Sequence, residues 1–141
     1  MPRTITDPLA HQADRHVFVY GTLRRWQQRD INFLQPAPVF VGTGKINGTL
    51  FDLGTYPGVR LGGTFWVQGE IYRICSQLEL KLDEIESIWP QDTGEYAKCD
   101  VLVQCEGTSL TCLVYEAAAT HTQGKRQIVS GDWTFQSLKV Q

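Results

Sequence analysis

Two short stretches of the sequence carry residues whose types suit proton transfer beside a bound anion. The first is Tyr20-Gly21-Thr22-Leu23, in which a glycine turn follows a tyrosine. Consecutive main-chain N–H groups in such a turn can form a nest that binds a carboxylate or an oxyanion. The second is Leu82-Asp83-Glu84-Ile85-Glu86, which ends in a glutamate. We expect the turn to hold an anion and Glu86 to act as a general base beside it.

Glu86 is the carboxylate of the second stretch that a helix would place closest to the protein core. At about 100° per residue, Glu86 lies roughly 70° from the centre of the apolar side, whereas Asp83 and Glu84 lie roughly 130° away. Partial burial raises the pKa of a carboxyl group, which makes it a better base while it stays ionised. The alternative is an ordinary solvated glutamate on an acidic helix face. The apolar side consists of Leu78, Leu82, Ile85 and Trp89.

Three other side chains are weaker candidates for the same chemistry. Glu70 is a rival acid in a predicted strand, where a glutamate is more often a cross-strand partner than a catalyst. Tyr96 and Tyr115 could each place a hydroxyl group in a pocket. The alternative for both tyrosines is half-buried aromatic packing within strands.

One well-marked helix is predicted to carry Glu86. The pattern Ser76-Gln77-Leu78-Glu79 is typical of a capping box, so we expect a helix over about residues 77–87 that Pro90 stops. A shorter helical turn is expected earlier in the chain, with Asp30 as its N-cap and Pro36 at its end.

The rest of the chain is dominated by short runs of β-branched and aromatic residues separated by glycines. Together with the single strong helix, this pattern predicts an α+β fold, a small mixed β-barrel flanked by helices. The pair Glu106-Gly107 is typical of a hairpin turn. The strands are expected at residues 17–20, 39–41, 46–53, 64–74, 96–105 and 110–117.

The composition is that of one globular domain without a strong charge bias. The chain has 141 residues and a formal net charge of −2, which argues against nucleic acid as its main partner. No apolar run approaches the ~20 residues needed to cross a bilayer, and the N-terminus lacks the apolar segment of a signal peptide. We therefore expect a cytoplasmic protein without a membrane partner, with a flexible leader at residues 1–15 and a single domain at residues 16–141.

The four cysteines and three histidines do not form a metal-binding pattern. No C-x-x-C motif occurs and the histidines are scattered, so we expect no metal site and free thiols. Cys105 and Cys112 could face each other across a hairpin, although small buried thiols in strands are the ordinary alternative.

A series of short motifs follows in order along residues 16 to 117, namely Phe18–Arg24, Phe51–Gly58, Gly69–Tyr72, Leu82–Glu86, Tyr96 and Val114-Tyr115. In this order they resemble the gamma-glutamylcyclotransferase-like superfamily. Ser87, directly after Glu86, makes the chain most similar to the branch that acts on gamma-glutamylamines. Lys98 departs from the arginine that is frequent in relatives, which affects the expected choice of substrate rather than the chemistry.

The resemblance implies a β-barrel in which the turn at Tyr20, Gly21, Thr22 and Leu23 grips a small gamma-glutamyl substrate, with Tyr115 beside it and Glu86 as the catalytic base. The implied reaction is cyclisation of the gamma-glutamyl group, which releases 5-oxoproline and a free amine or amino acid without a metal or organic cofactor. Two alternatives stay open, namely a non-catalytic module that binds small molecules or peptides on the same barrel, and an amide-processing enzyme of another specificity.

Overall fold

The computed structural model describes residues 14–134, in which the strands form a single closed sheet. This architecture confirms the predicted fold class, an α+β fold with a small mixed β-barrel flanked by helices. The helical elements are α1 (Ser76–Ile85), α2 (Ala119–Thr122) and a 3-10 turn at Ile31–Phe33. The strands are β1 (Arg15–Val19), β2 (Val39–Asp52), β3 (Pro57–Ile74), β4 (Tyr96–Cys105), β5 (Thr108–Ala117) and β6 (Arg126–Gln127).

The barrel closes through a ring of five strands in the order β3, β1, β5, β4 and β2, with β2 pairing back onto β3. Within the described residues, β1 and β5 are the only parallel neighbours of the ring, with Val17 opposite Leu113. The short strand β6 lies outside the ring and extends the edge of β2 at Phe51 and Asp52. The ring therefore places the end of β1 next to β3 and β5.

Strand β1 is apolar on both faces because it separates two hydrophobic clusters. Phe18 points into the barrel, where it packs with Ile71 and other core residues. Val17 and Val19 point outward, into a layer that also contains Leu78 and Leu82 of α1. Alternating side chains of a strand lie on opposite faces, so a strand covered on both sides shows the continuous apolar run seen in the sequence. Helix α1 is thereby fixed over the end of β1.

The strands β2 and β3 are longer than predicted, because glycines that were expected to separate strands lie within them. Strand β2 runs continuously over 14 residues, although its predicted counterparts end at Val41 and begin again at Ile46. A Cβ atom on Gly44 would lie 2.8 Å from Val103 Cγ1 and 2.9 Å from the Gln104 carbonyl oxygen. This glycine therefore permits the close approach of β4 rather than a turn.

The predicted capping box of α1 is wrong. The helix begins at Ser76 with Cys75 as its N-cap, and no side chain caps it. Glu79 instead forms ion pairs with Lys98 and Arg15. The helix also ends at Ile85 rather than Ser87, and this earlier end determines where Glu86 points.

Several predictions concern the two ends of the chain. The leader predicted at residues 1–15 lies almost wholly outside the described residues, and β1 already begins at Arg15. Residues 135–141 also lie outside them. Between residues 14 and 134, no helix combines the length and apolar character needed to span a membrane.

The cysteines of the β4–β5 hairpin do not face each other. The strands pair with Cys105 opposite Thr108 and Cys112 opposite Val101, so the two thiols are offset along the sheet. Both are free and buried, as is usual for small thiols in strands.

Candidate active site

A cavity of about 160 Å³ opens where β1 ends and α1 ends, and we call it the β1–α1 pocket. Its wall contains Glu86 together with every residue predicted to bind substrate. Main-chain donors and a carboxylate that are more than sixty residues apart in sequence are therefore brought to one small cavity. The predicted residues in its wall are Tyr20, Gly21, Thr22, Leu23, Glu86 and Tyr115.

The turn after β1 exposes its main-chain N–H groups while its carbonyl groups hold its shape. Within residues 14–134, the N–H groups of Gly21, Thr22 and Leu23 donate no hydrogen bond. A side chain at Gly21 would meet Pro57, whose Cγ lies 2.6 Å from the position of a Cβ atom. The turn therefore requires glycine at this point. The three carbonyl groups accept hydrogen bonds from the N–H groups of Arg24, Arg29 and Ile31, at 3.0, 2.8 and 2.9 Å.

The loop that follows this turn is organised by Asp30. Its buried carboxylate accepts hydrogen bonds from the Trp26 N–H group at 3.0 Å and the Asn32 N–H group at 2.9 Å. Burial alone would raise the pKa of Asp30, but these hydrogen bonds bring the pKa below its ordinary value. The predicted N-cap role of Asp30 is confirmed, because the bond to Asn32 caps the 3-10 turn.

Glu86 lies at the C-cap of α1, immediately before a residue in the left-handed region. Its N–H group donates to the Leu82 carbonyl oxygen at 2.9 Å, and Ser87 then adopts a φ of 61°, which ends the helix. The side chain is half-buried and faces the pocket. It accepts no hydrogen bond from any other described residue, so its oxygens are available to a ligand.

The environment of Glu86 raises its pKa from an ordinary 4.5 to about 7. Burial is the main cause, since a desolvated carboxylate loses favourable hydration. Glu95 adds to the increase by charge repulsion, whereas Arg29 opposes it. A carboxylate with a pKa near neutrality can accept a proton and return it within one reaction cycle.

Four tyrosines line the pocket, and three of them, Tyr20, Tyr96 and Tyr115, donate their hydroxyl protons to protein acceptors. Tyr20 donates to the Tyr115 carbonyl oxygen at 2.7 Å, and Tyr96 donates to the Pro57 carbonyl oxygen at 2.9 Å. Tyr115 donates to the Asp83 carboxylate at 2.6 Å. Burial raises the pKa of all three hydroxyl groups above the ordinary value, so none is an acid near neutral pH.

Asp83 is a buried residue that helix geometry had placed on the solvent side. Its carboxylate accepts hydrogen bonds from Tyr115 and from Lys98, the latter at 3.0 Å. Its carbonyl oxygen accepts the N–H group of Ile88 at 2.8 Å, just beyond Glu86. The prediction of an exposed side chain is wrong because β4 and β5 cover this flank of α1. Lys98 itself lies outside the pocket wall.

Glu70, the rival acid, does not line the β1–α1 pocket. Its buried carboxylate accepts hydrogen bonds from Arg24 Nε at 3.1 Å, the Arg25 N–H group at 2.9 Å and the Tyr72 hydroxyl at 3.0 Å. It borders a second cavity of about 710 Å³ that adjoins the first at Thr22. The carboxylate in that second cavity already has three donors and has little capacity for a further ligand.

Two charged residues of the pocket wall were missed in the sequence. Arg29 lies on the loop after the turn at residues 20–23, and Glu95 lies just before β4. Neither belongs to an apolar periodicity or to a motif, and only the closure of the barrel brings them beside Glu86.

The fold and this site define a class of barrel proteins in which a partly buried glutamate faces main-chain donors at the end of β1. Residues 17–135 match the family model described as Gamma-glutamyl cyclotransferase, AIG2-like, and the chain belongs to this family. A Vibrio cholerae protein provisionally named gamma-glutamylcyclotransferase is 31% identical over 117 residues, which cover 83% of this chain and 93% of that protein. The gamma-L-glutamyl-butirosin B gamma-glutamyl cyclotransferase of Niallia circulans is 30% identical over 108 residues, or 75% of this chain, and the match spans only 62% of that relative.

Solved structures show the same barrel. An AIG2-like protein from Mus musculus superposes with a TM-score of 0.68 at 28% identity, covering 81% of this chain and 85% of that one. The solution structure of protein ytfP from Escherichia coli gives a TM-score of 0.59 at 31% identity, with coverage of 87% and 99%.

Proposed function

We propose that this protein cyclises the gamma-glutamyl group of a small molecule and releases 5-oxoproline and a free amine or amino acid. The observation that carries the proposal is the shared pocket of Glu86 and the free N–H groups of Gly21, Thr22 and Leu23. Membership of the gamma-glutamyl cyclotransferase family supports the same reaction class.

In the proposed reaction, the α-amino nitrogen of the substrate attacks its own γ-carbonyl carbon. A ring C–N bond forms, and the C–N bond to the leaving amine breaks. The nucleophile belongs to the substrate, so the protein has to fold the substrate back on itself rather than supply a serine or cysteine. Holding the chain in this ring-like pose lowers the barrier by several kcal/mol, because the entropy cost is met on binding.

Glu86 transfers the one proton that has to move. It takes this proton from the attacking amine and delivers it to the leaving nitrogen, so the carboxylate is regenerated at the end of each cycle. A pKa of about 7 suits both steps, because the group is neither a very weak base nor a very weak acid near neutral pH. The N–H groups of the turn hold the substrate carboxylate or the developing oxyanion.

The nature of the leaving amine is the finer part of the proposal. Ser87 after Glu86 favours a gamma-glutamylamine through the resemblance to that branch, and Ser87 also lines the pocket. The ion pairs of Lys98 with Glu79 and Asp83 keep that residue away from the substrate.

The test is Glu86→Gln, which keeps the shape of the side chain and removes the base. We expect the release of 5-oxoproline from a gamma-glutamyl amide to fall by about 10²- to 10⁴-fold. Glu84→Gln is the matched control, because Glu84 lies on the same helix with its side chain exposed. If Glu86→Gln keeps the parental rate, Glu86 is not the base. Binding of such amides without any turnover by the parental protein would instead indicate a non-catalytic module.

A further inference from the structure

The second cavity, of about 710 Å³, borders the β1–α1 pocket along the loop that follows β1. Thr22 lies in the walls of both cavities. Gln28 lines the second cavity and Arg29 the first, while Thr55 lines the second and Tyr56 the first. One molecule can therefore extend from one cavity into the other across this shared border.

The two cavities differ in size in a way that suits the two halves of a gamma-glutamyl amide. Sites for small molecules usually measure about 300–1,000 Å³, so the β1–α1 pocket, at about 160 Å³, holds little more than the gamma-glutamyl group. The proposed function places this group there, against Glu86 and the N–H groups of the turn at residues 20–23. The leaving amine has to extend out of this pocket, and the second cavity is the larger space beside it.

The charged side chains in the described wall of the second cavity already have partners within the protein. Arg24 Nε lies 3.1 Å from the Glu70 carboxylate, and Arg24 Nη1 lies 2.9 Å from the Asp132 carboxylate. The Arg25 guanidinium group lies over the ring of Phe40, 5.0 Å from its centre. The parts of the wall that remain for a ligand are two tryptophan rings and uncharged glutamine and threonine side chains. Such a wall fits an uncharged ring better than an ionic group.

The two tryptophans, Trp26 and Trp133, present their rings in different ways. Trp133 is 8% exposed and belongs to the barrel core, so packing holds its ring. Trp26 is 84% exposed, and its φ of 70° lies in a region where residues other than glycine are strained. Its N–H group donates to the buried Asp30 carboxylate at 3.0 Å, which maintains this backbone conformation. An exposed ring on a strained backbone adds little to the stability of the fold, whereas such strain is common at sites that bind ligands.

We propose that the second cavity binds the leaving half of the substrate, and that this half is an amine with an aromatic ring that stacks against Trp26. This inference rests on the proposed function, in which the amine is released as the 5-oxoproline ring closes. Aromatic rings stack favourably on indole, and the contact removes apolar surface of Trp26 from water. The preferred substrates are therefore gamma-glutamyl amides of arylalkyl amines.

The test compares three amides that differ only in the leaving amine, namely gamma-glutamylethylamide, gamma-glutamyl-2-phenylethylamide and gamma-glutamyl-3-phenylpropylamide. The two phenyl compounds differ in reach, so the ring can meet Trp26 at either length. We expect the parental protein to favour the better phenyl compound over the ethylamide in kcat/KM. In Trp26→Ala this preference should fall about 10-fold, and Trp26→Phe should retain part of it. Because the amines also differ in basicity, and that difference is the same in every variant, the change in the ratio isolates the contact.

Phe33→Ala is the matched control, since Phe33 is 81% exposed and lines neither cavity. Its preference among the three amides should equal that of the parental protein. Equal parental kcat/KM on the three amides, or an equal loss on all three in Trp26→Ala, would overturn the assignment while leaving the cyclisation intact.

If the parental protein turns over none of the amides, the proposed function fails, and calorimetry with the same compounds decides the contact. Tighter binding of a phenyl compound that is lost in Trp26→Ala supports the contact, and equal binding refutes it. Thermal melts verify that each variant is folded.

Discussion

Glu70 and Glu86 are two glutamates on either side of the turn at residues 20–23, and their surroundings are opposite. Glu70 accepts hydrogen bonds from three donors in the barrel wall. Glu86 accepts none from the described residues, and its oxygens open into the β1–α1 pocket. A buried carboxylate with a full set of donors stabilises the scaffold, whereas one without donors keeps its binding capacity for a ligand.

Helix α1 shows the same contrast over a single turn. Asp83 is bonded to Tyr115 and Lys98, and Glu86 follows it three residues later without a donor. The number of acidic residues in a stretch therefore says little about which one does chemistry. The missing partners of one acid, next to the satisfied partners of its neighbour, are more informative.

The largest expected change in stability concerns Glu70, the glutamate whose carboxylate already accepts three hydrogen bonds. In Glu70→Gln, a neutral amide replaces the carboxylate that accepts hydrogen bonds from Arg24, the Arg25 N–H group and Tyr72. We expect the free energy of unfolding to fall by about 2–4 kcal/mol, because a buried guanidinium loses a charged partner. Urea denaturation measures this loss, with Glu84→Gln as the exposed control. A loss no larger than that of the control would remove the distinction between the two glutamates.

The next largest expected effect is a gain in stability, in the variant Glu86→Gln. Because the folded-state pKa of Glu86 is about 7 and its ordinary value is 4.5, the folded protein binds more protons than the unfolded chain between these pH values. The free energy of unfolding contributed by this group is therefore greatest below about pH 4.5, falls as the pH rises to about 7, and then stays level. Glu86→Gln should remove this fall and stabilise the protein by roughly 2 kcal/mol at about pH 8.

Denaturant melts of the parental protein and Glu86→Gln, across this pH range, measure the difference. The same titration should appear in turnover, with kcat/KM rising with pH and levelling off above about 7. A variant as pH-sensitive as the parental protein would show that Glu86 is an ordinary exposed acid after all.

The smallest expected effect on stability concerns backbone strain in the loop that lies between the two glutamates. Trp26 is exposed and adopts a φ of 70°, a region that disfavours residues other than glycine. Trp26→Gly should relieve this strain and raise the free energy of unfolding by about 0.5 kcal/mol, after the extra entropy of an unfolded glycine is subtracted. Gln28→Gly, at an exposed position of the same loop without a positive φ, should lower it by a similar amount. If both variants lose stability equally, the loop is not strained.

The sequence alone was enough to predict the elements that depend on local patterns. The run from Val17 to Tyr20 correctly predicted β1, and Glu106-Gly107 correctly predicted the turn between β4 and β5. The Asp30 cap was also correct, because it depends only on residues two positions apart.

Features that depend on how distant strands and helices pack against each other could not be predicted from local patterns. The burial of Asp83 requires that β4 and β5 lie against one flank of α1, which helical periodicity does not encode. Arg29 and Glu95 reach the pocket only through closure of the ring. The glycine at position 44 was misinterpreted as a strand break, because a glycine that admits a neighbouring strand looks the same in sequence as one that turns the chain.

The parallel pairing of β1 with β5 has a consequence during synthesis of the protein. Val17 leaves the ribosome long before Leu113, so the first strand waits for a neighbour that is translated almost last. Until then, one edge of β1 is open, and an open strand edge is a template for aggregation. A chain that stops before β5 also lacks the backbone oxygen that anchors Tyr20. Truncated translation products should therefore be inactive and prone to degradation rather than partly functional.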